Sequence, residues 1–254
     1  FEWWNRWVFR AIFISNKMKK IIIRLLLLTI ISLSILVAYL SLVGVETKRF
    51  NSQISNNIKN INKNLEIELK EIKLILDPFK LSLNAKTLGP KIKIKGKVIE
   101  IESIKTKISI NSFLNDEFSI SNMSISTKSL EINNFLSFLR NLKQNPQIYI
   151  LDKLIKKGYL VADIDLEFDK SGKVRDTYQI KGFVKDTKIS LFKNYNVEKL
   201  NFIFDIKKDL YNFTDLKLSF NEIPLFSDKI SLKDASNFFL DEGKIKNKKV
   251  NLDK

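Results

Sequence analysis

The densest set of groups able to do chemistry in this chain is Asp163, Asp165, Glu167 and Asp169, in the stretch VADIDLEFDKSG. Carboxylates act as calcium ligands or as general acid and base, but either task needs them to converge. A calcium loop turns tightly about a glycine at its sixth position, and an acid and base must face one reacting atom in a cleft. A spacing of two does neither. On a strand it puts all four carboxylates on one side, where they read as the solvent face of an amphipathic strand. The chain has no histidine and no cysteine. Imidazole and thiolate metal sites, Ser-His-Asp and Cys-His nucleophile systems and disulfides are therefore excluded. The sequence also lacks a glycine-rich phosphate loop, a G-x-S-x-G and an S-x-x-K in strand-to-helix context, and it holds only seven glycines. The expectation is a protein that is not an enzyme and takes no metal or cofactor. A carboxylate-dependent hydrolase would need a paired acid and base, and none can be placed.

The formal net charge is +16, which raises the question of a nucleic-acid or anionic-membrane partner. Lysine far outnumbers arginine, and the basic residues are spread along strands instead of gathered with aromatics as single-strand binding requires. They read as a solvated face, with weak attraction to acidic headgroups as a second possibility. No nucleic-acid partner is expected.

The elements that would carry these residues begin with an uncharged apolar run, Leu25 to Val45, long enough to cross a hydrocarbon core as a helix of roughly 20 residues. Arg6, Arg10, Lys17, Lys19, Lys20 and Arg24 precede it; only Lys48 and Arg49, beside Glu46, follow closely. Basic residues stay cytoplasmic, so the N-terminus is expected inside and the body outside. A cleaved signal peptide competes, because Met18-Lys19-Lys20 looks like a charged leader. The apolar run is too long for that, no small-x-small site precedes Glu46, and no cysteine is present for lipid attachment. This organisation reads as a cytoplasmic segment at 1–20, a transmembrane helix at 21–45, a short connecting helix within 46–64 and a β-rich periplasmic domain at 65–254. Residues 1–17 hold Trp3, Trp4 and Trp7 and read either as an interfacial aromatic anchor or as sequence upstream of a start at Met18.

Ile54, Ile58 and Ile61 predict the short amphipathic helix. From there the period becomes two, as in Ile72, Leu74 and Leu76 and in KIKIK from Lys91 to Lys95. It recurs at Ile99 and Ile101, Ile108 and Ile110, Met123 and Ile125, and later at Ile180 and Val184 and at Ile189 and Leu191. Asp77-Pro78, Gly89-Pro90, Asp169 to Gly172 and Lys207 to Asp209 supply turns, which predicts an antiparallel meander. One helical hairpin interrupts it. Asn133 or Asn134 is expected to cap a helix near 133–144 with Phe135, Phe138, Leu139 and Leu142 on one face. Asn145-Pro146 opens a second, near 146–157, with Ile148, Leu151, Leu154 and Ile155 as its stripe and Gly158 closing it. The hairpin either packs as core or plugs one end of a groove.

The expected fold is thus mainly β, a curled, elongated antiparallel sheet with a taco-like groove, an inserted helical hairpin and an N-terminal transmembrane helix. The apolar strand face is core if the sheet closes or meets a second layer. If it stays open, exposure at roughly 25 cal/mol per Å² asks for an apolar ligand, and a lipid is the natural occupant. The candidate groove residues are Ile92, Ile94, Ile164, Leu166, Phe168, Phe202, Phe204, Leu216, Leu218 and Phe220.

Several stretches carry a family resemblance: the anchor ending in Gly44-Val45-Glu46-Thr47-Lys48-Arg49-Phe50-Asn51, LEIELKEIKLILDPFKLSLNAK (Leu65 to Lys86), FSISNMSISTKSLEINNFLSFL (Phe118 to Leu139) and GYLVADIDLEFDKSGKVRDTYQIKGFVKDTKISL (Gly158 to Leu191). Over Met18 to about Leu232 the order of features resembles the AsmA-like superfamily that includes TamB and YhdP, as an N-terminal portion or a short member. The resemblance implies an inner-membrane-anchored periplasmic protein whose sheet carries phospholipid toward the outer membrane. Phospholipid acyl chains, the inner membrane and other envelope proteins are the partners it implies.

Overall fold

The computed structural model describes residues 2–110, 120–142, 144–169, 173–192, 195–234 and 238–247. Among them are four helices: α1 (Glu2–Leu42), α2 (Asn51–Ile61), α3 (Ile132–Leu142) and α4 (Pro146–Leu154). The strands are β1 (Val45–Thr47), β2 (Leu65–Glu68), β3 (Ile72–Asp77), β4 (Ser82–Leu88), β5 (Lys91–Ile94), β6 (Lys97–Ser109), β7 (Ile120–Thr127), β8 (Leu130–Glu131), β9 (Ile155–Glu167), β10 (Gln179–Phe192), β11 (Tyr195–Lys207), β12 (Leu210–Phe220), β13 (Ile223–Asp234), β14 (Phe238–Gly243) and β15 (Lys246–Asn247).

Every described strand pair is antiparallel. The main path runs β1-β3-β4-β6-β7-β9-β10-β11-β12-β13-β14, and the sheet does not close. A small leaf branches from it. The first half of β6 pairs β5, which pairs β2, while the second half of β6 pairs β4. The mainly β fold with an apolar N-terminal helix and an inserted helical pair is therefore present.

Within α1, Met18–Leu42 is the one stretch of described residues long and apolar enough to cross a membrane. At 1.5 Å per residue its 25 residues reach about 37 Å, beyond the ~30 Å of a hydrocarbon core. Side chains from Met18 through Leu36 are exposed on every side. The helix stops at Leu42, where Val43 N–H (2.9 Å) and Gly44 N–H (3.2 Å) both donate to Tyr39 O. The sequence expectation ran helix to Val45; instead Val45 opens β1, which pairs Ile72–Leu74 of β3. The segment expected only to connect thus contributes an edge strand as well as α2.

Two helices cover part of the sheet. α2 lays Ile54 with Phe50 over Ile72, Ala85 and Ile108. α3 packs Phe138, Phe135 and Leu139 on Ile94, Ile99, Ile101 and Leu130. It starts at Ile132, which is buried, so Asn133 and Asn134 lie inside its first turn and not at its cap. Asn133 Nδ2 instead donates to Lys156 O (3.1 Å) and Asn134 Nδ2 to Glu131 Oε2 (2.8 Å). Leu142, expected on the packed face, is 39% exposed.

α4 opens as expected, with Asn145 Oδ1 accepting from Gln147 N–H (2.8 Å) and Pro146 at the first helical position. It buries none of its residues, so the stripe Ile148, Leu151 and Leu154 makes no core. Gly158 does not close it. The helix ends at Leu154, and β9 takes over because Ile155 pairs Ile189 and Lys157 pairs Lys188. Gly158 sits inside that strand, where a Cβ would fall 2.2 Å from Thr187 Oγ1. Arg140 binds Asp152 across the hairpin and lies over the Tyr149 ring at 4.9 Å.

Candidate functional site

Pairing register lines the apolar side chains into rows that cross the sheet. The longest runs Ile72, Thr87, Ile104, Ile125, Ile164, Ile180, Ile206, Tyr211, Leu232 and Leu240, each opposite the next. Its neighbour runs Ala162, Gly182, Phe204, Phe213 and Ile230. A third runs Leu130, Leu160, Val184 and Phe202. One face of the sheet is therefore mainly apolar from β3 to β13, with Thr87, Thr187 and Ser227 as buried polar members.

Only the near end of that face is covered. Ile72 (5% exposed) is buried under α2, whereas Ile164, Ile180, Ile206, Tyr211 and Leu232 stay half-buried with no helix over them among the described residues. Between α2 and the sheet lies an apolar cavity of about 370 Å³, lined by Ile54 and Ile58 of α2, by Ile67, Leu69 and Ile92 of the leaf side and by Ile104, Met123 and Ile125 of the sheet.

The predicted groove residues divide accordingly. Ile92 lines the cavity. Ile94, 1% exposed, points into the cluster sealed by α3 and is core. Ile164 and Leu166 stand on the apolar face, opposite Ile125 and Met123. Phe168 lies past the end of β9, bridged to Val174. Phe202 and Phe204 form an aromatic patch with Phe213, their ring centroids 6.3 Å apart and that of Phe202 5.5 Å from Phe213. Phe204 is only 7% exposed because its ring lies over Gly182, where a Cβ would meet Phe204 Cζ at 2.6 Å and Val161 O at 2.0 Å. Leu216, Leu218 and Phe220 face the same way on β12, Phe220 stacking on Tyr195 at 6.1 Å.

Tyr211, Phe213 and Ile230 belong to this face and were missed, because the alternation changes phase partway along three neighbouring strands. Asp186, Lys199 and Asp215 each take a positive φ, +50°, +51° and +52°. At those points the inward set passes from Ile180 and Val184 to Thr187 and Ile189, from Phe202 and Leu200 to Val197, and from Phe213 to Leu216. An extra residue on a strand bends it and increases its twist, so a line of such kinks folds the sheet across its strands. Asn201 ties two of them together: its Oδ1 accepts from Asp186 N–H (3.0 Å) and its Nδ2 donates to Lys199 O (2.6 Å). The signal available in the sequence was the jump from Val184 to Ile189, which breaks a period of two.

The opposite face is mostly polar, although Val161, Phe183 and Ile203 stand there in register, the last two exposed. Asp163, Asp165 and Glu167 are exposed there, Ser124 donating to Asp165 (2.5 Å) and Thr177 to Glu167 (2.8 Å), while Lys181 stands between Asp163 and Asp205 in register. No three carboxylates converge on a cation position among the described residues. Ion pairs are carried on exposed strand positions. Glu100 lies between Lys128 (2.8 Å) and Lys91 (3.1 Å), whose hydrogen bonds and charge, Lys128 foremost, hold its carboxyl down to about 2. Lys93 likewise lowers Glu68, and Lys188 lowers Glu198 across 2.6 Å.

The geometry thus offers an extended apolar surface, narrow and roofed near α1 and bare toward β13, and no converging set of reactive groups among the described residues. No protein-family model, no curated protein and no solved structure matches the chain.

Proposed function

We propose that this chain is a non-enzymatic, inner-membrane-anchored protein that holds lipid acyl chains against the apolar face of its open sheet and takes part in moving phospholipid through the periplasm to sustain the outer membrane. One observation carries the reading: an in-register row that runs from β3 to β13, apolar but for Thr87 and the Tyr211 hydroxyl, and remains half-exposed beyond the helices. Each exposed square ångström of such surface costs about 25 cal/mol in water, and large contiguous apolar patches mark binding surfaces. An acyl chain satisfies the face without needing a hydrogen bond from it, which suits a row of Ile, Leu and Phe. The helix Met18–Leu42 supports anchoring by length and apolarity, and the basic residues on its N-terminal side support a cytoplasmic start and a periplasmic body. The likeness in feature order to the AsmA-like superfamily points the same way.

Photo-crosslinking side chains placed at Leu166, Phe202 and Leu218 in cells are expected to capture phospholipid. Capture of protein alone at all three positions overturns the reading and favours a membrane-tethered scaffold, for which native mass spectrometry would find no lipid retained.

A further inference from the structure

Two cavities of opposite character, on opposite faces of the sheet, share Leu69 in their walls at the strand ends. On one side Leu69 helps line the apolar cavity of about 370 Å³ beneath α2. On the other it lines a polar cavity of about 720 Å³ whose charged walls are Lys48, Lys70, Lys73 and Lys86 against Glu46 and Glu71. Lys48 is taken by Glu71 at 3.3 Å. Lys70, Lys73 and Lys86 make no ion pair among the described residues.

The placement of these lysines is unfavourable for the sheet alone. Lys73 stands directly opposite Lys86, and Lys86 directly opposite Lys105, on adjacent antiparallel strands. Like charges so placed repel, and an anion between them removes the repulsion. Lys73 also stands opposite Glu46 of β1, one strand spacing of about 5 Å from the chain that leaves α1. That is the level at which a membrane helix emerges among headgroups. The strip between the two cavities is held to α2 by Asn51, whose Nδ2 donates to Leu69 O (3.2 Å) and Lys70 O (2.7 Å).

We infer that this is a two-part site for one anionic phospholipid. The phosphate sits among Lys70, Lys73 and Lys86, which as compact ammonium groups attract it as point charges. One acyl chain passes Leu69 into the cavity beneath α2, the roofed end of the apolar face. The inference rests on the proposed role of that face in holding acyl chains, and adds to it the class of lipid and the place where it is taken up.

The test uses the full chain in nanodiscs of phosphatidylcholine containing a trace of a phospholipid with a diazirine in its acyl chain, either phosphatidylglycerol or phosphatidylcholine, with crosslinks mapped by mass spectrometry. Phosphatidylglycerol is expected to label the cavity-lining Ile58 and Met123 about fivefold or more above phosphatidylcholine. The combined Lys70→Gln, Lys73→Gln, Lys86→Gln variant, altered at two exposed positions and one half-buried one, is expected to bring the two probes level. Equal labelling of the cavity by both probes in the native chain, or an anionic excess that survives the triple variant, overturns the headgroup site while leaving the acyl-chain reading in place. Labels confined to Met18–Leu42 overturn both.

Discussion

At the scale of single residues, burial and register separate positions that alternation treats alike. Ile92 and Ile94 are two apart on one strand, yet Ile92 lines a cavity and Ile94 is sealed beneath α3. The sequence shows the period; it does not show which helix lands on it. Gly182 was equally silent, since its importance lies in a ring brought from the next strand. Gly182→Val would drive a side chain into Phe204 and Val161 O, and overpacking of this kind costs on the order of 1–3 kcal/mol. A urea denaturation followed by the β signal is expected to shift to lower midpoint, and an unchanged midpoint would show that the Phe204 ring does not lie there. Glu100 makes a prediction about acid. A carboxyl lowered in the folded state stabilises it above the ordinary value of 4.5, and that contribution is lost as pH falls through about 2. An NMR titration is expected to place its midpoint near 2, with Lys128→Gln raising it; a native midpoint near 4.5 refutes the pairing.

At the scale of elements, local chemistry was most readable where a side chain acts on its own backbone. Asn145-Pro146 announced the start of α4 because capping is a contact within three residues. Asn145→Ala is expected to cost about 1 kcal/mol and to speed hydrogen exchange at Gln147, whose amide the cap now holds. Starts and stops set by distant partners were not readable. Ile132 is drawn into α3 by burial, and β9 claims Ile155 to Gly158 through its pairing with β10. The kinks at Asp186, Lys199 and Asp215 belong to this class as well. Non-glycine residues with positive φ carry little signature, and only the line they form across strands reveals a common bend.

For the whole molecule, the antiparallel meander and the apolar helix were legible because both are statements about periodicity, which short windows contain. Whether the sheet closes depends on its two edges, more than 190 residues apart in sequence, and no window spans that. β1 and β14 are those edges, separated by about 50 Å measured along the sheet at the usual strand spacing. The chain has no cysteine of its own, so a pair introduced at Thr47 and Leu240 reports closure directly. Both thiols are expected to stay free under an oxidant, whereas a disulfide, which needs Cα atoms within about 7 Å, would show a barrel.

The abrupt passage from α1 into β1 has a mechanical corollary. With two residues between Leu42 and Val45 and three register pairs fixing β1 to β3, the stalk and the sheet share no slack hinge. Were Met18–Leu42 to span a bilayer as proposed, its length of about 37 Å against a core of about 30 Å would be relieved by tilt or by local thickening, and tilt would swing the far strands as the long arm of a lever pivoting at the bilayer surface.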